Sequence, residues 1–166
     1  LLLIMEKFNS FTNPKVIENL KLQISNSRII DWATDFNKDA GISYNRLSYS
    51  LDYWKNKFSW EKSEGELNSF NHFYYIDKGL KTHFLHLKSP EDNALPLLLI
   101  HGWPGSIFEF FDLIPLLTNP NKNNFLGNQP FDLVIPSLPN VGFSFSKNQK
   151  PMDLVEISDH FVKLMN

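Results

Sequence analysis

The feature that most constrains this chain is the apolar run Pro96-Leu97-Leu98-Leu99-Ile100, which stops at His101-Gly102-Trp103-Pro104-Gly105-Ser106. A short continuous apolar run bounded by turn residues predicts a strand covered on both faces of a sheet. Gly102, Pro104 and Gly105 predict a tight turn in which backbone can approach a ligand closely. Ser106-Ile107-Phe108-Glu109 then reads as a capping box. Ile107, Phe110, Phe111, Ile114 and Leu117 would line one face of the helix it opens, bent or shortened at Pro115. A strand that ends in a sharp turn and a capped helix is the local pattern of an α/β sheet. Ligand sites in such sheets lie outside the carboxyl ends of the strands.

Upstream the periods are helical. Asn13-Pro14 places an N-cap before a proline at the first helical position, with Ile17, Leu20 and Ile24 following at helical spacing. A second helix is predicted over 44–57, where Leu47, Leu51, Trp54 and Phe58 form a stripe. A shorter one carries Trp60, Leu67 and Phe70, weakened at Gly65 by about 1 kcal/mol relative to alanine. Trp54, Phe58 and Trp60 read as the core of this helical module. The period then changes. His72-Phe73-Tyr74-Tyr75-Ile76-Asp77, the turn-like Lys78-Gly79, and Leu80 to Lys88 read as a β-hairpin. Ser89 to Asn93 is a polar turn cluster, and Asn119 to Pro130 a polar loop. Phe131 to Pro136 is a further strand. Asp153-Leu154-Val155-Glu156 is a second capping box, with Leu154, Ile157, Phe161 and Leu164 behind it. The expected organisation is a helical module over 6–70, then the first strands and helices of an α/β sheet over 71–166. Such sheets need more strands than these, so the chain reads as a fragment. A start at Leu1, with Met5 as a candidate initiator, points the same way.

The composition bounds the chemistry. With 42% hydrophobic residues in 166, the chain can bury one core, or one core and a small module. A net charge of −2 offers no basic excess for nucleic acid or anionic lipid. The absence of cysteine excludes disulfides, thiolate nucleophiles and cysteine metal sites. Leu1 to Ile4 are too few to span a bilayer, so the expectation is a soluble protein with the cytoplasm as default location.

Several side chains invite functional readings that their spacing does not favour. His101 reads as a brace for its loop rather than a general base. His83 and His86 are three apart, on opposite faces of a strand, so they read as strand-surface histidines and not a metal pair. His160 is expected to be half-exposed, and no spacing suggests a partner for His72. Adjacent Tyr74 and Tyr75 read as structural. Ser144 and Ser146 fall in Gly142-Phe143-Ser144-Phe145-Ser146, which lacks the second glycine of a serine nucleophile elbow. Asp132 reads as a solvated edge charge.

His101-Gly102-Trp103-Pro104-Gly105-Ser106 resembles the oxyanion-hole HGxP motif of α/β-hydrolases, in the form found in microsomal-type epoxide hydrolases. Leu51-Asp52-Tyr53-Trp54-Lys55 to Phe58-Ser59-Trp60 resembles a signature of that family's N-terminal domain. So do Leu67-Asn68-Ser69-Phe70 and the stretch from Gly79-Leu80 to His83-Phe84-Leu85-His86. Pro136-Ser137-Leu138-Pro139 to Gly142-Phe143-Ser144 resembles its PSLPGYGFS loop. The likeness runs from about Phe11 to Asn166. It departs from the family at Asn140, which replaces a glycine, at Val141, which replaces an aromatic, and in the polar segment Asp35-Phe36-Asn37-Lys38.

The resemblance implies a truncated α/β-hydrolase sheet preceded by a small helical N-terminal module. It also implies an enzyme of detoxification type that opens small-molecule epoxides to vicinal diols with no metal or organic cofactor. An aspartate forms an alkyl-enzyme ester, tyrosines support the leaving oxygen, and a histidine oriented by an acidic residue activates water. Of this machinery only the oxyanion hole maps here, as the Trp103 N–H positioned by His101, Gly102 and Pro104. Such a donor is worth about 3–4 kcal/mol of barrier. Trp103 and Phe143 are candidate pocket-lining side chains. The nucleophile, the histidine and its partner, and the tyrosines match nothing in this chain, so no catalytic residue is assigned and the chain alone is expected to be inactive. A homodimer of the full-length protein is a further expectation. The alternatives are a haloalkane dehalogenase or serine esterase on the same scaffold, or a non-catalytic binding or assembly fragment.

Overall fold

A computed structural model describes residues 4–30, 41–77, 79–123, 129–145, 147 and 149–166. The Asp35 to Lys38 segment, Lys78, the middle of the Asn119–Pro130 loop and Ser146 lie outside the described residues. Two compact units form: Ser10–Leu67, and the residues up to Asn9 together with Asn68–Asn166.

The first unit is helical: α1 (Pro14–Asn26), α2 (Tyr44–Asn56) and α3 (Trp60–Asn68). Asn13 caps α1, its side chain accepting from Lys15 N at 3.0 Å, with Pro14 at the start. Ser43 caps α2 through Arg46 N. Ser10 and Thr12 both donate to the Glu64 carboxylate, at 3.0 and 2.9 Å, tying the entering chain to α3. The aromatic residues expected to form a core do not. Trp54 is 44% and Trp60 39% exposed, and Phe58 meets Trp60 edge-on. Three short helices cannot enclose two tryptophans, because a unit this small leaves most of its side chains at its surface.

The second unit is built on a five-stranded sheet, β1 (Ile4–Phe8), β2 (His72–Asp77), β3 (Leu80–Leu87), β4 (Leu95–Leu98) and β5 (Phe131–Pro136), in the order β1-β2-β3-β5-β4. β1 was not foreseen: it pairs antiparallel with β2, Phe8 opposite His72. The predicted hairpin is present, with Gly79 at φ +83° in its turn, a conformation that glycine adopts without strain. β5 lies antiparallel to β3 and parallel to β4, with Leu97 opposite Leu133.

Leu85, Leu133 and Ile135 are fully buried. Each contributes about 1.5–3 kcal/mol on leaving water. Helix α5 (Leu154–Met165) begins at the predicted capping box: Glu156 N donates to Asp153 at 2.9 Å and Asp153 N to Glu156 at 3.0 Å. Its Leu164 and Met165 pack against Tyr75, Phe84 and Val134.

Two expectations fail in detail. The strand at Pro96–Ile100 begins one residue earlier, ends at Leu98 and is not covered on both faces: Leu95, Pro96 and Ile100 are exposed. It lies at one edge of the sheet, so among the described residues only β5 pairs with it. The single helix expected after Ser106 is instead a 3-10 turn, Ile107–Phe110, followed by the short α4 (Ile114–Thr118), with Pro115 in its first turn. Proline cannot donate to the preceding turn, so the helix restarts around it rather than running through.

Candidate active site

β4 and β5 run parallel, so their carboxyl ends open at the same side of the sheet, where ligands bind in this architecture. The turn at 101–106 leaves β4 and the loop at 137–144 leaves β5. The last bond of the pair, Leu99 N to Val134 O at 3.0 Å, lies just before both.

His101 joins the two segments. It is buried, its Nε2 accepts from the Leu138 N–H at 3.0 Å, and its Nδ1 lies 2.8 Å from the Gly102 carbonyl. An imidazole nitrogen that accepts an N–H carries no proton, so the proton sits on Nδ1 and donates to Gly102. Both nitrogens are thereby committed, which leaves neither available as a general base and supports the reading of a brace.

The turn itself is closed by Gly105 N to Gly102 O at 2.9 Å, and the Trp103–Pro104 peptide is cis. Ser106 N donates to the Glu109 carboxylate at 3.0 Å, which completes the capping box. A Cβ on Gly105 would coincide with that carboxylate, so glycine is required for the close approach. These bonds use the amides of Gly105, Ser106 and Leu138. The Trp103 N–H has no partner among the described residues, and its indole is 82% exposed.

The loop after β5 is a tight bend. Val141 N bonds to Leu138 O at 2.9 Å, with Pro139 and Asn140 at the corner and Asn140 at φ +63°. Proline then a residue of positive φ is the pattern of a type II turn. Glycine or asparagine suits that second position, so Asn140 replaces the family's glycine without changing the backbone it allows.

Beneath this loop lies a polar cluster that spacing did not reveal. His83 is wholly buried, not on the strand surface. Its Nε2 lies 2.8 Å from His72 Nδ1, and its Nδ1 2.9 Å from Ser137 Oγ. Its N–H donates to Ser144 Oγ at 2.9 Å, and Ser144 donates to the Ser137 carbonyl at 2.8 Å. Phe8 and Phe143 pack on the His83 ring with centroids 5.1 and 5.0 Å away. Burial, and then the neighbouring His72, push His83 down to about 3, so it is neutral. Ser144 is buried, and its hydroxyl is committed to the His83 N–H and the Ser137 carbonyl. The Phe143 ring, offered as a pocket-lining residue, is packed against Phe8 and His83.

Other expectations change as well. His160 is buried rather than half-exposed, 2.9 Å from Thr82 Oγ1, and burial lowers its pKa. Asp132 is half-buried: it accepts from Ser89 N at 2.8 Å and pairs with Lys88 at 3.5 Å, so it is not a solvated charge. Tyr75 lies in the core, while Tyr74 lies under the Lys81 ammonium, 3.9 Å from its ring centroid. Among the described residues, no group of three metal-ligating side chains occurs, and no helix is long and apolar enough to cross a membrane.

The mixed sheet, with its site at the ends of two parallel strands, is the beginning of an α/β-hydrolase fold. The family model described as epoxide hydrolase N terminus matches residues 5–110, and the chain belongs to the epoxide hydrolase family. It is 36% identical over 162 residues to epoxide hydrolase 1 of Oryctolagus cuniculus, covering 95% of this chain and 36% of that protein. It is 39% identical over 136 residues to juvenile hormone epoxide hydrolase 1 of Ctenocephalides felis, covering 80% of this chain and 28% of that protein. The crystal structure of juvenile hormone epoxide hydrolase from the silkworm Bombyx mori superposes with a TM-score of 0.85 at 28% identity, covering 98% of this chain and 39% of that one. The chain spans about a third of the length of the curated relatives it matches.

Proposed function

We propose that the protein carrying this chain hydrolyses small epoxides to vicinal diols through an aspartyl ester, and that His101, Gly102, Trp103 and Pro104 supply its oxyanion donor. One observation carries the assignment of the donor: among the described residues the Trp103 N–H is left without a partner, while the amides of Gly105, Ser106 and Leu138 are bonded. A donor fixed in place before reaction stabilises the charge that develops when water attacks the ester, without reorganising. His101 holds the turn from beneath, and the exposed Trp103 indole and the rim of Phe143 line the approach. The aspartate, the histidine that activates water with its acidic partner, and the tyrosines belong to sequence outside residues 1–166. The reaction needs no cofactor or metal. A homodimer of the full-length protein is part of this reading, and sedimentation tests it.

The chemistry is tested by a single turnover of the full-length protein with styrene oxide in ¹⁸O-labelled water. In an ester mechanism the diol takes its new oxygen from the carboxylate. The expected result is an unlabelled first-turnover diol and label appearing in the enzyme. A labelled first-turnover diol, or no diol, overturns the proposal.

A further inference from the structure

The loop after β5 is held at both ends of a single peptide plane. The Ser137 carbonyl accepts from Ser144 Oγ at 2.8 Å, and the N–H of the same peptide, on Leu138, donates to His101 Nε2 at 3.0 Å. A peptide unit is rigid, so its oxygen and its hydrogen cannot be oriented independently. Whatever fixes the Ser137 oxygen fixes the direction of the Leu138 N–H, and so the seat of the His101 ring.

Ser144 is itself anchored. It lies buried, accepts the His83 N–H at 2.9 Å, and sits across from the bond between Ser137 N and His83 O, also 2.9 Å. Strand β3 thereby grips the loop in a closed ring of three bonds. We propose that Ser144, anchored by His83, is a positioning residue for the oxyanion turn: it orients the Ser137–Leu138 peptide that holds His101 beneath Trp103. The geometry stands independently, while its catalytic consequence rests on the function proposed above. Ser144 touches no reacting atom. Its loss strands a buried N–H and a buried C=O together, and the peptide turns to find other partners. The Trp103 donor then drifts from the position at which it meets the developing charge.

The test is Ser144→Ala in the full-length protein, with styrene oxide as probe, rapid-quench mass spectrometry and hydrogen exchange. A misplaced donor costs on the order of 10- to 100-fold. The ester-hydrolysis rate is expected to fall by that factor while ester formation stays within about threefold, so the covalent intermediate accumulates. Exchange of the Leu138 amide is expected to rise about tenfold or more, and ¹⁵N-labelled His101 to lose its fixed tautomer. Ser144→Cys keeps a weaker donor in place. It should give an intermediate effect, and it decides the question if Ser144→Ala does not fold. His86→Gln, on the same strand but outside the ring of bonds, should leave both rates unchanged. Ester hydrolysis and Leu138 exchange both within twofold of wild type, or an equal fall in both chemical steps, overturn the inference. If wild-type protein forms no ester, the functional reading fails, and Leu138 exchange alone decides the role of Ser144.

Discussion

His83 makes the folded state sensitive to acid, by an amount that its burial sets. An unfolded chain binds a proton at this histidine near its ordinary value of 6.5, whereas the folded site holds it down to about 3. Below pH 6.5 the unfolded state therefore takes up a proton that the folded state refuses. The associated stability is fully present above pH 6.5 and is lost progressively as the pH falls toward 3. Each unit of pH within that window is worth about 1.4 kcal/mol, so roughly 2 kcal/mol is gone by pH 5. His83→Asn removes the titration while leaving an amide near the place of Nδ1. Urea unfolding of both proteins at pH 8 and pH 5 isolates the effect, because the carboxylates cancel in the difference. Wild type should lose about 2 kcal/mol more than the variant between the two pH values. Equal losses would refute the claim that this imidazole is buried neutral.

Gly105→Ala should cost about 1–2 kcal/mol by displacing Glu109 from Ser106 N, and much less in a Glu109→Ala background; a double-mutant cycle by thermal unfolding measures the difference. Asp153→Ala should cost α5 about 1 kcal/mol, read from the urea midpoint. At Asn140, with φ +63°, glycine should be neutral or slightly stabilising, whereas valine should cost about 1–2 kcal/mol by the same measurement. Phe84→Ala should cost about 3–5 kcal/mol, because its ring is almost wholly buried in the sheet core.

What the sequence revealed was local. The hairpin, the cap at Asn13 and the capping boxes at Ser106 and Asp153 each depend on residues within a few positions of one another. The turn at 101–106 was legible for the same reason. What it hid was non-local. His83 finds Ser137 and Ser144 at separations of 54 and 61 residues, and no spacing rule reaches that far. Strand β3 is buried over four consecutive residues, Thr82 to Leu85, so the alternation that would have marked an inward histidine is absent. The reverse holds at Trp54, where the helical stripe suggests a core and the side chain is exposed. A stripe says which residues share a face, and not that anything covers it.

The edge strand β4 has one unusual member. Leu95 N and Leu99 N point toward β5, where they bond Pro130 and Val134 at 3.1 and 3.0 Å. Alternation therefore turns the backbone of Pro96 and Leu98 the other way. Proline brings a carbonyl to that outward side but no hydrogen to give. A neighbour laid along this margin finds both partners only from Leu98 onward, so the margin is blunt at its beginning and receptive beside the His101 bend.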